Sequence, residues 1–261
     1  MQKNNEQWKN DYEDQGYFVL RNYFKPKQMD ALRKVISTFH ENWKSDNKQF
    51  YQEEAFNSSL ITGSQYLNSL DRIKLFNFIS SNEIMQVVDS LIPNQPAFMN
   101  TQLFFDPYNA EQTNFWHRDC QYDYGIEDQK KIIQDTQVVH FRVPLFDEPG
   151  MELVPGSHKR WDNQEEYEVR QEENNRVSSE ALSTGKEIQL NAGDLLVFSA
   201  DMIHRGLYGL DRLAFDILIF DSTGSGSIYA DYVDSDCLPD KSQLEVIANP
   251  RLFLNTLALT I

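Results

Sequence analysis

A histidine and an aspartate stand two positions apart in the stretch FWHRDCQYDYG, from Phe115 to Gly125. Side chains of an extended strand alternate between two faces, so His117 and Asp119 would share one face and Trp116 and Arg118 the other. A strand that presents an imidazole and a carboxylate together can offer two ligands to one metal ion. A short pair of this kind also matches many sequences by chance, and the structural alternative is a core histidine near a surface aspartate.

His204 offers a third ligand. It follows the apolar run GDLLVFSADMI, so we expect it at the end of a strand, where a pocket can open. Two imidazoles and one carboxylate leave three positions of an octahedral metal free, as in non-haem Fe(II) oxygenases. The other histidines fit this role less well. His40 falls in a helical pattern, His140 lies in an apolar strand where packing or a hydrogen bond explains it, and His158 lies in a Pro-Gly-Ser turn.

Arg212 begins the strand-like run RLAFDILIF, eight residues after His204. An iron centre of this type needs an electron source, commonly 2-oxoglutarate, and an anion-binding residue should then lie near the third ligand. A guanidinium that faces into a barrel must meet a carboxylate, because a buried unpaired charge is costly. Its fork fits the far carboxylate of 2-oxoglutarate. The structural alternative is an ion pair of Arg212 with Asp211 or Asp216.

The predicted secondary structure that must position these residues changes from helix to strand near Phe98. Before it the pattern is mostly helical: KPKQMDALRKVISTFHENW spaces its apolar residues at helical intervals with Pro26 near its start, and a further helical pattern ends before Pro93. After Phe98, short β-prone runs broken by Pro, Gly and Asp recur at fairly regular intervals. This pattern is typical of an all-β barrel or jelly roll.

Composition narrows the possible partners. The 261 residues carry a formal net charge of -16 with 40% hydrophobic residues, which is enough for a sizeable core. Strong acidity argues against nucleic acid and against polybasic membrane binding, and no run approaches the ~18 apolar residues of a membrane span. Cys120 and Cys237 are too few for a disulfide framework or a cysteine-based zinc site. We therefore expect a cytoplasmic protein with a small-molecule substrate, and the oligomeric state stays open.

Four segments, in the right order, resemble the phytanoyl-CoA dioxygenase (PhyH) family of Fe(II)/2-oxoglutarate-dependent oxygenases. YEDQGYFVLRNYFKPKQMDALRKVI is similar to the family's N-terminal strand and helix, FWHRD to its His-x-Asp segment, FDEPGMELVPGSHKRW to its characteristic turn, and GDLLVFSADMIHRG with RLAFDI to its distal histidine and arginine. The resemblance covers most of the chain from Asp11 to Phe220. It implies a mainly β fold with a helical N-terminal part, a double-stranded β-helix (jelly roll, cupin-like) with helices packed on one sheet. We expect one domain over 1–261, with 1–97 mostly helical, 98–220 the β-helix core and 221–261 a C-terminal extension.

The resemblance also implies a reaction. Fe(II) would be held by His117, Asp119 and His204, and 2-oxoglutarate would chelate the iron while Arg212 binds its far carboxylate. Because members that halogenate lack the carboxylate ligand, Asp119 favours hydroxylation of a small-molecule metabolite, with release of succinate and CO2. The alternative is a catalytically inactive barrel that binds or senses a small molecule.

Two features depart from the family's pattern. Its arginine usually stands further beyond the distal histidine, and many members carry a serine where this chain has Gly206. Another donor must then assist in holding the co-substrate, and Gln102 and Asn100, on the strand before the His-x-Asp segment, are candidates. Arg205 and Arg142 are the next basic residues to consider.

Aromatic residues near this segment, among them Phe105 and Tyr122, could line the pocket or fill the core. Within VPGSH we expect Ser157 and His158 to stabilise the turn. The polar insert 159–185 is either a lid that closes over substrate, with Trp161 as its apolar contact, or a solvated surface loop.

Overall fold

The computed structural model describes residues 2–135 and 137–259. The strands within this range are β1 (Tyr17–Leu20), β2 (Asn57–Ser59), β3 (Pro96–Phe105), β4 (Val138–Pro144), β5 (Glu148–Leu153), β6 (Lys186–Leu190), β7 (Leu195–Ser199), β8 (His204–Gly206) and β9 (Leu213–Asp221). The α-helices are α1 (Gln2–Gln15), α2 (Pro26–Asp46), α3 (Lys48–Glu53), α4 (Ser69–Ile79), α5 (Asn82–Leu91), α6 (Ile126–Asp135), α7 (Gln164–Arg170), α8 (Lys241–Leu244) and α9 (Arg251–Leu257). Short 3₁₀ helices cover Asp119–Tyr122, Ser157–Lys159, Gly224–Tyr232 and Ser235–Cys237. Among these helices none is long and apolar enough to cross a membrane.

The strands form two antiparallel sheets. The major sheet has the order β1-β7-β4-β9-β3-β2, and the minor sheet has the order β6-β5-β8. Strands far apart in the chain are therefore neighbours, and the two sheets face each other across an interior space. The predicted double-stranded β-helix, with helices covering one sheet, is confirmed.

Helices pack on the outer face of the major sheet because α2 presents a continuous apolar stripe to it. The stripe consists of Met29, Leu32, Val35, Ile36 and Phe39, all buried. Since helices cover one face of β4 and the minor sheet faces the other, the whole of β4 is buried. Its residues then divide by alternation: Val139 and Phe141 join the core under the helices, while His140 and Arg142 face the interior.

The segment around the His-x-Asp pair differs from the prediction. The expected strand through His117 and Asp119 is wrong, because His117 forms only an isolated bridge with His204, and Asp119–Tyr122 is a 3₁₀ helix. Trp116 and Arg118 still point away from the pair, as alternation predicts: both side chains are fully buried on the opposite side of the segment. The two ligand candidates therefore share a direction, although a continuous strand does not set it.

The insert 159–185 packs against that opposite side. Val169 and Leu182 form a buried cluster with Trp116, whose indole nitrogen donates to the carbonyl of Glu180 over 2.8 Å. Trp161 packs beside the buried residues of α6, not toward the interior space. In this structure Trp161 does not line the cavity, and the insert supports the ligand segment from behind.

An ion-pair network strengthens this support. The Arg118 guanidinium donates to Asp162 over 2.8 Å and also to the carbonyls of Ser157 and Asp201. Asp162 in turn accepts from Arg170 of α7 over 2.8 Å, and the side chains of Arg118, Asp162 and Arg170 are all inaccessible to solvent. Buried charges of this kind are held rigidly, because breaking one pair leaves the other charge uncompensated.

We expect the amides of α7 to be protected from hydrogen exchange in the protein alone. Val169→Ala should speed their exchange about tenfold, since two methyl groups lost from a buried site cost about 1.5 kcal/mol. Val177→Ala is the matched control, because Val177 is 50% exposed. Rapid exchange in the free protein that slows on adding substrate would contradict this view and would support a lid that closes over substrate.

Candidate metal centre

Three side chains converge where the two sheets face each other. His117, Asp119 and His204 each offer a ligand atom, and these atoms lie within 4.8 Å of one another. The Asp119 Oδ1 atom is 3.7 Å from His117 Nε2 and 3.5 Å from His204 Nε2. All three residues are predicted as ligands from the sequence, and the structure brings them together.

Backbone hydrogen bonds set the direction of both imidazoles. His117 and His204 exchange backbone bonds of 3.0 and 2.9 Å, which places their rings side by side with centroids 4.2 Å apart. His117 Nδ1 donates to the carbonyl of Phe115 over 3.1 Å, and His204 Nδ1 donates to that of Met202 over 2.9 Å. Because a carbonyl only accepts, the proton of each ring lies on Nδ1. Both Nε2 lone pairs are therefore free for a metal.

His140 holds the carboxylate. Its Nε2 donates to Asp119 Oδ2 over 2.8 Å, which leaves Oδ1 directed at the two histidines. His140 Nδ1 donates to Asp216 Oδ2 over 3.2 Å, and Asp216 Oδ1 accepts from Arg142 Nε over 2.8 Å. The predicted role of His140 as a hydrogen-bonded strand residue is confirmed, and its partner is a candidate ligand.

The protonation states of His117, His204 and Asp119 favour the binding of a cation. Burial lowers the pKa of His204 to about 3 and also lowers the pKa of His117, so both rings are neutral near pH 7. Burial alone would raise the pKa of Asp119, but the charge and hydrogen bond of His140 bring it below the ordinary value. Burial likewise opposes the charge of His140, and Asp119 with Asp216 raises its pKa to about 9. Neutral imidazoles and an ionised carboxylate are the protonation states that bind a metal.

The cluster opens into a cavity of about 430 Å³ between the sheets. Phe115 and Tyr122 stand at its mouth beside His117, and Tyr122 is 60% exposed. Farther in, Arg142 and Asp216 line the major-sheet side. The cavity therefore combines an aromatic entrance with a charged interior next to the metal cluster.

Arg212 lies in this cavity and is 2% exposed. Its Nη1 and Nη2 atoms donate to the carbonyls of Leu207 and Phe105 over 3.0 and 3.2 Å, and Nε is 4.0 Å from Asp106 Oδ1. Among the described residues, neither Asp211 nor Asp216, the acids considered as structural partners, forms an ion pair with it.

The Arg212 guanidinium lies directly against Gly206. A Cβ at residue 206 would collide with Arg212 Nη1, so a serine cannot occupy this site unless the guanidinium moves. Arg205, named as an alternative basic residue, turns outward: it pairs with Glu152 and lies 4.6 Å above the ring of Trp116.

The remaining predicted residues divide between the cavity and the core. Gln102 lines the cavity, opposite Asp216 in the β3–β9 register. Asn100 does not line it: a register shift between Phe98 and Asn100 brings Met99 to the cavity instead. Such a bulge leaves no clear mark in the sequence pattern.

Of the two aromatic candidates, Tyr122 lines the cavity and Phe105 belongs to the core under the helices. Ser157 stabilises its turn as predicted, since its hydroxyl accepts from the amide of Ile203 over 2.9 Å. His158 is also buried and lies outside the cavity.

The comparisons with known proteins agree with this architecture. The family model described as phytanoyl-CoA dioxygenase (PhyH) matches residues 12–207. No curated protein matches the chain in sequence. Among solved structures, HygX from Streptomyces hygroscopicus, with nickel and 2-oxoglutarate bound, has a TM-score of 0.60 at 13% identity and covers 84% of this chain and 88% of its own.

Two further structures are similar over comparable lengths. AviO1 from Streptomyces viridochromogenes Tue57 has a TM-score of 0.59 at 15% identity, covering 84% of this chain and 96% of its own. EctD from S. alaskensis, with 2-oxoglutarate and 5-hydroxyectoine, has a TM-score of 0.58 at 13% identity, covering 82% of this chain and 74% of its own. At these identities the likeness establishes the fold.

We expect His117→Ala, Asp119→Ala and His204→Ala each to abolish the binding of one Ni²⁺ per chain in a calorimetric titration, because three ligands are the minimum for this centre. His40→Gln is the control, since His40 packs against Phe105 away from the cluster. Stoichiometric binding by any of the three variants would remove that residue from the ligand set.

His140→Phe should weaken Ni²⁺ binding about 10–100-fold, the usual effect of losing a partner that orients a metal ligand. Phenylalanine keeps the stacking on Phe198, whose ring centroid is 4.6 Å from that of His140, but cannot donate to Asp119. His140→Gln retains an N–H donor and should recover part of the affinity. Equal affinities for all three proteins would mean that the backbone alone orients Asp119.

Proposed function

The chain belongs to the phytanoyl-CoA dioxygenase (PhyH) family, and from this premise we propose that it is a non-haem oxygenase that binds Fe(II) through His117, Asp119 and His204. One observation carries the proposal: the Nε2, Oδ1 and Nε2 atoms converge while the other polar atom of each side chain is already bonded. Such a donor set suits octahedral Fe(II) with three positions left open. When bound, the iron and 2-oxoglutarate supply the oxidative chemistry with dioxygen, and the protein supplies binding and orientation.

The interior of the cavity supports 2-oxoglutarate as the co-substrate. This dianion carries a 2-oxo acid group that can chelate the metal and a second carboxylate at its far end. Arg212 lies buried in the same cavity beside Gly206, two residues beyond the ligand His204. A guanidinium in a dry site binds a carboxylate strongly and directionally.

The entrance supports a small organic substrate with an apolar or aromatic face. Phe56 and Phe115 pack edge to face with centroids 5.9 Å apart, and Tyr122 and Tyr208 line the same cavity. Aromatic walls hold flat apolar surfaces and exclude water from the reacting centre. With the carboxylate ligand Asp119 retained, we propose hydroxylation of such a substrate, with release of succinate and CO2.

The decisive test is succinate formation from 2-oxoglutarate under Fe(II) and air, with candidate substrates screened for stimulation. We expect stimulated turnover by the wild-type protein and none by Asp119→Ala. Tight binding of a small molecule with no succinate under any condition would favour the alternative, a barrel that binds without turnover.

Arg212→Gln should raise the KM for 2-oxoglutarate roughly a hundredfold, because a charged hydrogen-bonded contact in a desolvated site is worth about 3 kcal/mol. The KM for the primary substrate should change far less. Arg205→Gln is the matched control, since that guanidinium turns outward to Glu152. An unchanged KM for 2-oxoglutarate in Arg212→Gln would transfer the role to another residue.

A further inference from the structure

A second arginine, Arg142, faces the same cavity with an unused donor. It extends inward from β4, is 1% exposed, and lies with its guanidinium carbon 4.4 Å from the centroid of Phe104. Its Nε donates to Asp216 over 2.8 Å, but Nη1 is buried and has no hydrogen-bond partner. Buried donors are almost always satisfied in folded proteins, and an unsatisfied charged donor is especially costly. Arg142 Nη1 therefore points to a missing acceptor in the cavity.

Backbone carbonyls already occupy part of the hydrogen-bonding capacity of the Arg212 guanidinium. One donor of Nη1 and one of Nη2 are used by backbone carbonyls, and its buried Nε has no hydrogen-bond partner. Since a carboxylate can accept about four hydrogen bonds, two guanidinia with donors to spare can share one.

The two guanidinia lie in the same electrostatic environment. Burial is the main cause that lowers the pKa of Arg212, and the positive charge of Arg142 is the next. Glu148 is a nearby acid whose two oxygens are buried without a hydrogen-bond partner. Within the described residues it forms no ion pair with Arg142 or Arg212. Burial raises the pKa of Glu148, and the positive charges of Arg142 and Arg212 oppose this shift. Arg142 pairs with Asp216 and Arg212 approaches Asp106, yet each guanidinium keeps one buried nitrogen without a hydrogen-bond partner.

We propose that Arg142 is a second anchor for the far carboxylate of 2-oxoglutarate, which it holds jointly with Arg212. This inference rests on the proposed function, because it takes 2-oxoglutarate to be the co-substrate. Arg142 then supplies the donor that a serine at position 206 would otherwise provide. Through Asp216 and His140, the same guanidinium is connected by hydrogen bonds to the candidate ligand Asp119.

The test compares two acids bound to Ni²⁺-loaded protein by calorimetry, which requires no turnover. 2-Oxopentanoate keeps the 2-oxo acid group of 2-oxoglutarate but has a methyl group in place of the far carboxylate. In Arg142→Gln we expect the affinity for 2-oxoglutarate to fall at least about tenfold, while that for 2-oxopentanoate changes by less than about twofold. Arg142→Gln combined with Arg212→Gln should bind the two acids almost equally.

Two controls separate anchoring from structural damage. Arg205→Gln removes a buried arginine that faces away from the cavity and should leave both affinities unchanged. Arg142→Lys keeps a cation beside Asp216 and should show a smaller selective loss.

The outcomes are distinct. An unchanged affinity of Arg142→Gln for 2-oxoglutarate, or an equal loss for both acids, would overturn the role of Arg142 and leave the proposed function intact. Failure of the wild-type protein to prefer 2-oxoglutarate over 2-oxopentanoate would instead count against the proposed co-substrate, and with it this inference.

Discussion

A carboxylate that begins a 3₁₀ helix has no strand ladder to orient it, so the direction of Asp119 depends on the hydrogen bond from His140. His140 sits on a central strand of the major sheet and is held in turn by Asp216, which pairs with Arg142. Each buried charge in this chain of contacts is compensated by the next, as burial requires. The interior of the sheet therefore carries a polar row, although the residues between the sheet and the helices are apolar. Placement of one ligand thus determines which core positions must be polar.

Buried contacts also hold the opposite side of the segment that carries His117 and Asp119. Trp116 and Arg118 flank His117, and both are buried against the insert 159–185 instead of against a second sheet. A segment fixed by only one bridge to His204 needs such backing, because a short isolated pairing is weak by itself. The insert is polar in composition, yet its few apolar residues and buried ion pairs are concentrated where it meets this segment. Two of its acids, Asp162 and Glu166, are buried in ion pairs with arginines, whereas Glu172 and Glu173 are exposed.

Much of the site could be predicted from sequence, and the failures have physical causes. The alternation of side chains correctly paired His117 with Asp119. His204 lies beside a cavity as expected, although it is the first residue of β8 and not the end of β7. The pattern could not show that Asp119 begins a 3₁₀ helix, because a single bridge and a strand leave the same local alternation. Asn100 was misplaced by a bulge, and Arg142 ranked low because one arginine in an apolar strand reveals neither its direction nor its missing partner.

The short interval between His204 and Arg212 and the glycine at position 206 are linked, because the Arg212 side chain lies against Gly206. Between β8 in the minor sheet and β9 in the major sheet the chain turns through Leu210 and Asp211, whose φ values of 63° and 54° lie in the left-handed region. Asp106 stabilises this turn by accepting from the amides of Gly209 and Arg212. Arg212 therefore precedes β9, and its side chain extends to the space beside residue 206, where a Cβ would displace the guanidinium. Gly206 thus accommodates the Arg212 side chain, and Arg142 lines the same cavity with a buried nitrogen that has no partner.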